Sequence, residues 1–172
     1  MENTKTAYLS RELRLNHWLE MYSEALLQTC LYMLPDRAQA EDAVQDTLIK
    51  AWRYLGKRKE NSIVNERAWL MRIAINTCKD YLRTGWSHHV DHDLPLEGLP
   101  PKMLKIEPEE SMITFMVKDL QAKYRQVILL HYFQGLTQKQ IAETLSLTIS
   151  TVNRNLRKAE TLLREKLVAD QL

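Results

Sequence analysis

The 172-residue sequence has only four glycines, two cysteines and no long apolar run. The scattered glycines exclude a phosphate-binding glycine loop, and neither a nucleophile–base pair nor an H-E-x-x-H motif is present, so the sequence predicts no enzyme and no cofactor. Cys30 and Cys78 lie far apart, outside any C-x-x-C motif, and are predicted to be buried small hydrophobes rather than a disulfide framework. The absence of a signal peptide and of an apolar run of about 18 residues predicts a cytoplasmic protein without direct membrane insertion.

Charge is nearly balanced overall, at +2, but it is distributed unevenly along the chain. Residues 1–85 are close to neutral, residues 86–111 carry two basic and six acidic side chains, and residues 112–172 carry nine basic and five acidic ones. This asymmetry predicts three segments with different partners. Helical periodicity in the outer two then predicts an all-α protein: an N-terminal helical domain at 1–85, a flexible acidic linker at 86–111 and a C-terminal helix-turn-helix domain at 112–172.

The middle segment has the composition of a linker, because it holds four of the five prolines and has no helical period. It also contains a cluster of side chains that can bind metal: His88, His89, Asp91, His92 and Asp93. A transition metal accepts such ligands, but a flexible tract gives them no fixed geometry. An incidental cluster is therefore the favoured interpretation, and no metal site is predicted.

The stretch 137–167 predicts two helices joined by a tight turn. Thr137 and Gln140 form the T-x-x-Q capping pattern, in which each side chain satisfies a free backbone N–H. The apolar face of this first helix consists of Ile141, Ala142 and Leu145. A turn over residues 146–148 follows, and Thr148 is the expected cap of the second helix.

The second helix, from about 149 to 167, has an apolar stripe opposite a polar and basic face. The stripe consists of Ile149, Val152, Leu156, Ala159 and Leu163. The opposite face consists of Ser150, Arg154, Arg157, Lys158 and Thr161, flanked by Thr151, Asn153 and Asn155. A helix that enters the DNA major groove needs this division, since one face packs on its own domain while the other reaches phosphates and base edges. The alternative is an ordinary amphipathic surface helix, but the capped helix and short turn before it favour a helix-turn-helix.

Three helices are predicted in residues 1–85, after a frayed polar start at 1–7. They run from about 9 to 34, from a cap at Asp36 to about 55, and from a cap at Asn65 to about 83. The second has an inward face of Ala43, Val44, Thr47, Leu48, Ala51, Trp52 and Leu55, and an outward face of Glu41, Asp42, Gln45, Asp46, Ile49 and Arg53. The carboxylates suit the positive N-terminal end of a helix without any partner. Ile49 among them indicates either a docking surface or an isolated exposed apolar residue.

The loop between the second and third helices begins with the basic run Lys57-Arg58-Lys59 and continues with polar residues. The outward side of the third helix consists of Arg72, Asn76, Lys79, Asp80 and Arg83. A basic loop beside such a helix can hold an unstacked single strand of nucleic acid, and a merely solvated loop and helix is the alternative.

Two short helices are predicted before the helix-turn-helix. The first uses the apolar positions Met112, Phe115, Met116 and Leu120, and the second runs from about Ala122 to Phe133 and is stopped by Gly135. His131 in the second is predicted to lie at the boundary of the core rather than to bind metal, because no second ligand lies four residues away.

Three stretches of the chain resemble one family, the bacterial RNA polymerase sigma factors. Ala40-Glu-Asp-Ala-Val-Gln-Asp-Thr-Leu-Ile-Lys-Ala-Trp-Arg53 resembles their A-E-D-x-x-Q-D/E-x-F-x-x-A-W/F helix. Arg67-Ala-Trp-Leu-Met-Arg-Ile-Ala-Ile-Asn-Thr-Cys-Lys-Asp-Tyr-Leu-Arg83 resembles their promoter-melting helix, F-x-x-W-L-x-x-I-A-x-N-x-x-x-D-x-x-R. Residues 123–142, with Tyr132-Phe-Gln-Gly-Leu-Thr137 and Gln140-Ile-Ala142, resemble their C-terminal domain. A short chain with two such domains and an acidic linker resembles the extracytoplasmic-function (ECF) type of the sigma-70 superfamily.

The resemblance implies a sigma factor that directs core RNA polymerase to specific promoters and initiates transcription without catalysing a reaction itself. Docking on the polymerase clamp coiled coil is implied for Glu41, Asp42, Gln45, Asp46, Ile49 and Arg53. Binding of the downstream promoter element, with one base flipped into the loop, is implied for Lys57, Lys59, Asn61, Ser62, Asn76, Lys79, Asp80 and Arg83. Binding of the upstream element is implied for Ser150, Thr151, Asn153, Arg154, Arg157 and Lys158. Further implied partners are the polymerase flap and an anti-sigma factor, and the acidic linker is expected to follow the path of nascent RNA.

The chain departs from the family pattern in its helix-turn-helix. Ser146 stands where many members have glycine, and Ser150-Thr-Val-Asn153 stands where they have Gly-Thr-Val-Lys/Arg, so this helix is less basic than usual and its base preference is not transferred from relatives. The alternative function is a stand-alone helix-turn-helix transcriptional regulator that binds a palindromic site as a dimer. That alternative leaves the acidic second helix and the basic loop without a role.

Overall fold

Every regular element in residues 2–57, 63–84 and 112–169, the part of the chain that the computed structural model describes, is helical. For residues 2–9 and Lys57 only the backbone is described. The contacts of the chain group it into two units, Met1–Glu107 and Pro108–Leu172. The all-α prediction is confirmed. The predicted linker at 86–111, with its cluster from His88 to Asp93, lies outside the described residues and stays a prediction.

The first unit consists of α1 (Glu2–Met33), α2 (Arg37–Lys57) and α3 (Glu66–Thr84). The two predicted caps are confirmed, because the Asp36 carboxylate accepts the Gln39 N–H at 2.9 Å and the Asn65 side chain accepts the Ala68 N–H at 2.9 Å. The predicted frayed start is wrong, since α1 begins at Glu2. Glutamate, lysine and alanine in this stretch favour helix and let it extend.

The core of the first unit forms where all three helices contact one another. Its largest fully buried side chains are Trp18, Leu26, Leu27, Val44, Leu48, Leu70, Met71 and Ile75. Cys30 and Cys78 are free and fully buried in this core, as predicted. A hydrogen bond with Cys78, together with burial, raises the pKa of the Cys30 thiol, so this thiol stays protonated and behaves as a small apolar group.

The outward position predicted for Ile49 is wrong, because only 6% of this residue is exposed. A helical wheel with one apolar stripe assumes one packing partner, whereas α2 contacts both α1 and α3. Two partners widen the buried arc of a helix, and Ile49 lies within that wider arc.

The second unit consists of α4 (Met112–Asp119), α5 (Ala122–Ile128), α6 (Gln138–Leu145) and α7 (Ile149–Ala169). Between α5 and α6 the chain continues as a π-helical turn, Leu129–Phe133. Gly135, with φ of +66°, then takes the left-handed conformation that stops the helix, as predicted. His131 is half-buried and its Nδ1 lies 3.0 Å from the Leu136 carbonyl oxygen, which confirms its boundary position.

The inward face predicted for α4 is partly wrong. Met116 is buried as expected and so is Leu120, which follows the helix, but Met112 and Phe115 are exposed. Thr114 and Val117 are buried instead, because α4 packs on α5 and α7 through the face that these residues share with Met116.

Candidate nucleic-acid interface

The helix-turn-helix of the second unit is held by two local caps. Thr137 accepts the Gln140 N–H at 3.3 Å, and the Gln140 side chain accepts the Thr137 N–H at 2.9 Å, which completes the predicted capping box. The Thr148 hydroxyl accepts the Thr151 N–H at 3.1 Å and so caps α7, also as predicted. Ser146 lies between the two helices at φ of 55°, a left-handed conformation that glycine adopts more readily. The turn therefore keeps the geometry of a glycine turn without the glycine.

Loss of the capping box should destabilise the second unit measurably. We expect Thr137→Ala to lower its free energy of unfolding by about 1 kcal/mol, because a backbone N–H at the start of α6 loses its acceptor. Chemical denaturation followed by helical circular dichroism measures the change. Lys139→Ala, an exposed change in the same helix, is the control and should have little effect. Equal stability of the two variants would show that the capping box contributes nothing.

On the outward face of α7 the side chains of Ser150, Asn153, Arg154 and Arg157 line a shallow, largely open depression, and these four residues form the concave patch. Both arginines and Lys158 are exposed, and among the described residues none of these three side chains makes an ion pair or a hydrogen bond. Lys166, farther along the same helix, is instead paired with Asp119 of α4. Within the described residues, three unpaired cations of α7, Arg154, Arg157 and Lys158, thus lie in or close to the concave patch.

Two predictions about α7 are wrong, and one is refined. Asn155 is 8% exposed and faces the core together with Val152, Leu156 and Ala159, so it does not flank the outward face. Ile149, which was predicted to pack inward, is 51% exposed. Thr151 is half-buried, and its hydroxyl lies 2.9 Å from that of Thr148, so this group belongs to the cap.

In the first unit, α3 presents a second polar face. Arg72, Asn76, Lys79 and Arg83 are exposed at successive spacings of four, three and four residues, which places them along one side of the helix. Asp80 is also exposed and lies 3.2 Å from Arg83 and 3.9 Å from Lys50 of α2. Asp80 therefore offsets part of this positive charge and connects the two helices.

The loop that precedes α3 is only partly described. Lys59, Asn61 and Ser62, and the side chain of Lys57, lie outside the described residues, so their predicted roles stay predictions. The residue that follows the loop is described. Glu66, the first residue of α3, accepts hydrogen bonds from two nitrogens of the Arg14 guanidinium of α1, at 2.7 and 2.8 Å. This double contact fixes the point at which the loop rejoins the core.

The acidic face of α2 is half-buried and carries paired carboxylates. Glu41 binds Arg37 at 2.7 Å, and Asp46 accepts a hydrogen bond from the Tyr81 hydroxyl of α3 at 2.6 Å. Burial raises the pKa of Tyr81, and the hydrogen bond to Asp46 raises it further, so this phenol stays a donor. The remaining predicted members, Asp42 and Gln45, are half-buried, and Arg53 is exposed.

Sequence reasoning missed the contacts that connect helices. The Tyr81–Asp46 hydrogen bond and the Arg14–Glu66 pair join residues 35 and 52 positions apart. No local spacing signals such a pair. The one available signal is helical spacing, which places Tyr81 on the side of α3 opposite Arg72 and Lys79 and so towards the neighbouring helices.

Within the described residues, no group of histidine, cysteine and carboxylate side chains has the arrangement of a metal site. No helix there is long and apolar enough to span a membrane.

Both units match known family models. Residues 18–88 match Sigma-70 region 2, and residues 111–163 match Sigma-70 region 4. Among curated proteins, the chain is 30% identical over 150 residues to the ECF RNA polymerase sigma factor SigL of Mycobacterium tuberculosis, covering 83% of this chain and 82% of the relative. It is 25% identical over 164 residues to the RNA polymerase sigma-E factor of Streptomyces coelicolor, covering 93% and 89%.

Two solved structures have the same fold. The structure of CnrH in complex with the cytosolic domain of CnrY superposes with a TM-score of 0.72 at 23% identity, covering 96% of this chain and 95% of that one. The sigma factor RpoE of Bartonella quintana, solved with the anti-sigma factor NepR, superposes with a TM-score of 0.68 at 23% identity, covering 90% and 97%. The two region matches, in this order on two helical units, and the relative at 30% identity lead to one conclusion: the chain belongs to the extracytoplasmic-function sigma factors of the sigma-70 family.

Proposed function

We propose that this sigma factor directs core RNA polymerase to promoters by using its two units on two separate promoter elements. The observation that carries the proposal is the concave basic patch of α7, presented by a doubly capped helix-turn-helix. Such a helix places its N-terminal residues at base edges in the major groove. The upstream element would therefore be read by the second unit.

The residues of α7 divide into two kinds of contact. Arg154, Arg157 and Asn153 line the concave patch, where planar guanidinium and amide groups can make paired hydrogen bonds to guanine and adenine edges. Lys158 is exposed but lies outside the patch, which suits a phosphate contact. Ser150 offers a hydroxyl at the first turn, and Thr151 acts mainly through the cap it shares with Thr148.

The downstream element would be held by the first unit. Asn76, Lys79 and Arg83 provide one amide and two cations along one side of α3, which suits the backbone and bases of an opened strand. Asp80 would orient Arg83 and Lys50 rather than contact DNA, because its carboxylate already lies close to both. Lys59, Asn61 and Ser62 of the loop, together with Lys57 at the end of α2, complete the proposed capture site.

Polymerase docking would use the outer side of α2, through Glu41, Asp42, Gln45, Asp46 and Arg53. Ile49 is excluded from that contact surface, because it is buried under it. Half-buried carboxylates with fixed partners are presented in a defined orientation, which lowers the entropic cost of docking on the clamp coiled coil. The polymerase flap would contact the second unit, as the family resemblance implies.

An anti-sigma factor is the further proposed partner. Two proteins with this fold, CnrH and RpoE, were solved with the cytosolic domain of CnrY and with the anti-sigma factor NepR, respectively. The superposition covers at least 90% of this chain in both cases, which supports an anti-sigma factor as a partner.

The hydroxyl of Tyr81 should matter for both stability and docking. We expect Tyr81→Phe to lower the free energy of unfolding of the first unit by about 1 kcal/mol, because Asp46 loses a hydrogen-bond donor. Binding to core polymerase should weaken in parallel, by a few-fold, since the carboxylate loses its fixed orientation. Tyr22→Phe is the matched control, because the Tyr22 ring contacts His17 and its hydroxyl has no hydrogen bond within the described residues. If the two phenylalanine variants bind polymerase equally well, the Tyr81–Asp46 contact has no part in docking.

Reconstituted transcription tests the proposed function. Core polymerase is mixed with the protein and a library of genomic promoters, and run-off transcripts are measured. We expect transcripts from a small set of promoters that core polymerase alone does not use. No transcripts, together with tight binding of the protein alone to duplex DNA, would support the stand-alone regulator and contradict the proposal.

A further inference from the structure

Ile149 is an apolar side chain at a place where the sequence predicts core and the structure shows surface. It is the first residue of α7, directly after the capping residue Thr148, and 51% of it is exposed. Side chains of a helix point towards its N-terminus, so the side chain of a first residue projects beyond the helix end. Ile149 therefore extends the outward surface of α7 at the end that would enter the groove.

The neighbours of Ile149 connect it to the concave patch. Ser150 follows it directly and Asn153 lies one turn farther along the same side of the helix, and both line the patch. An exposed isoleucine beside polar groups that are proposed to face DNA gains little from polar base edges, because its side chain makes no hydrogen bonds. Among the groups that base edges present in the major groove, the only apolar one is the C5-methyl of thymine.

We propose that Ile149 contacts the C5-methyl group of one thymine in the upstream promoter element and so determines specificity at that position. The inference rests on the proposed function, because it requires α7 to lie in the major groove. Removal of one methyl group from an apolar contact corresponds to about a three- to five-fold loss of affinity. Ile149 would thus add an apolar preference to the hydrogen bonds of Arg154 and Arg157, which cannot detect a methyl group.

The test replaces each upstream thymine of a transcribed promoter, one at a time, with deoxyuridine, which lacks only the C5-methyl group. Affinity is measured for the complete holoenzyme with the wild-type chain, Ile149→Ala, Ile149→Val and Val168→Ala. Val168 is an exposed aliphatic residue at the far end of the same helix and serves as the matched control. Because Ile149 is half-exposed, its alanine variant should fold, and thermal unfolding checks this.

We expect deoxyuridine at one thymine position, and at no other, to lower the affinity of the wild type and of Val168→Ala by about three- to five-fold. Ile149→Ala should bind the unmodified promoter about as weakly as the wild type binds the deoxyuridine promoter, and it should not respond to the replacement. Ile149→Val should keep part of the response.

The inference is overturned if no thymine responds in the wild type, or if Ile149→Ala responds as strongly as the wild type does. Both of those results leave the proposed function intact as long as scrambling the upstream element still abolishes binding. If scrambling has no effect either, the proposed function of the second unit fails as well.

Discussion

Replacement of Arg154 with alanine is expected to remove about 1–3 kcal/mol of base discrimination at one position of the upstream element. Arg154 lines the concave patch of α7, is exposed, and makes no ion pair within the described residues, so its guanidinium is available to a base. Its planar fork matches the two acceptors of guanine, and a wrong base pair leaves those donors unsatisfied. The loss should therefore be confined to one base pair, where the variant tolerates substitutions that the wild type rejects.

Lys158→Ala is the matched comparison on the same helix. Lys158 is also exposed but lies outside the concave patch, so it is expected to contact phosphate. Its loss should weaken binding about evenly across promoter sequences and lower the slope of log affinity against log salt by about one unit. Affinities of both variants for promoters mutated at single positions, measured at several salt concentrations, distinguish the two roles. If Arg154→Ala weakens all sequences equally and Lys158→Ala alters sequence preference, the orientation proposed for α7 is wrong.

Replacement of Ile49 with alanine is expected to lower the free energy of unfolding of the first unit by about 2–5 kcal/mol. Ile49 is 6% exposed in the core between α2 and its neighbours, so the truncation leaves a cavity that the surrounding helices fill only in part. The family resemblance assigns Ile49 to polymerase docking, and we expect Ile49→Ala to dock less well on polymerase. The structure predicts that unfolding, rather than a missing contact, would cause it.

Denaturation and polymerase binding, measured on the same variants, separate these explanations. Ile49→Val should cost about 0.5–1.5 kcal/mol of stability and retain docking, because it removes one methyl group from the core. Arg53→Ala, an exposed change on the same helix, should weaken docking with little loss of stability. Unchanged stability of Ile49→Ala together with weaker docking would show that Ile49 is a contact residue after all.

The features predicted correctly from the sequence depend on neighbouring residues. The caps at Asp36, Asn65, Thr137 and Thr148 each follow from a side chain and a backbone N–H three residues apart. The exposed side of α3 follows in the same way from helical spacing. These patterns are local, so they need no knowledge of how helices pack.

The features that were missed depend on packing between helices. Ile49 is buried because α2 has two partners, and Asn155 is buried because it shares the inward face of α7 with Val152 and Ala159. The Tyr81–Asp46 and Arg14–Glu66 contacts join distant residues and give no periodic signal. The polarity of Asn155 and the apolarity of Ile149 were therefore misleading guides to their positions, whereas Ile49 was misplaced by a helical wheel that allows for one apolar stripe only.

Selection from a randomised promoter pool tests most directly the claim that two units of one chain read two separate elements. Core polymerase and the protein transcribe a pool in which the upstream and downstream blocks are randomised independently, and the templates of the transcripts are sequenced. We predict two conserved, non-palindromic blocks at a fixed separation, with Arg154→Ala relaxing the upstream block alone. A single palindromic block, or transcripts whose templates are the same with and without the protein, would contradict the account.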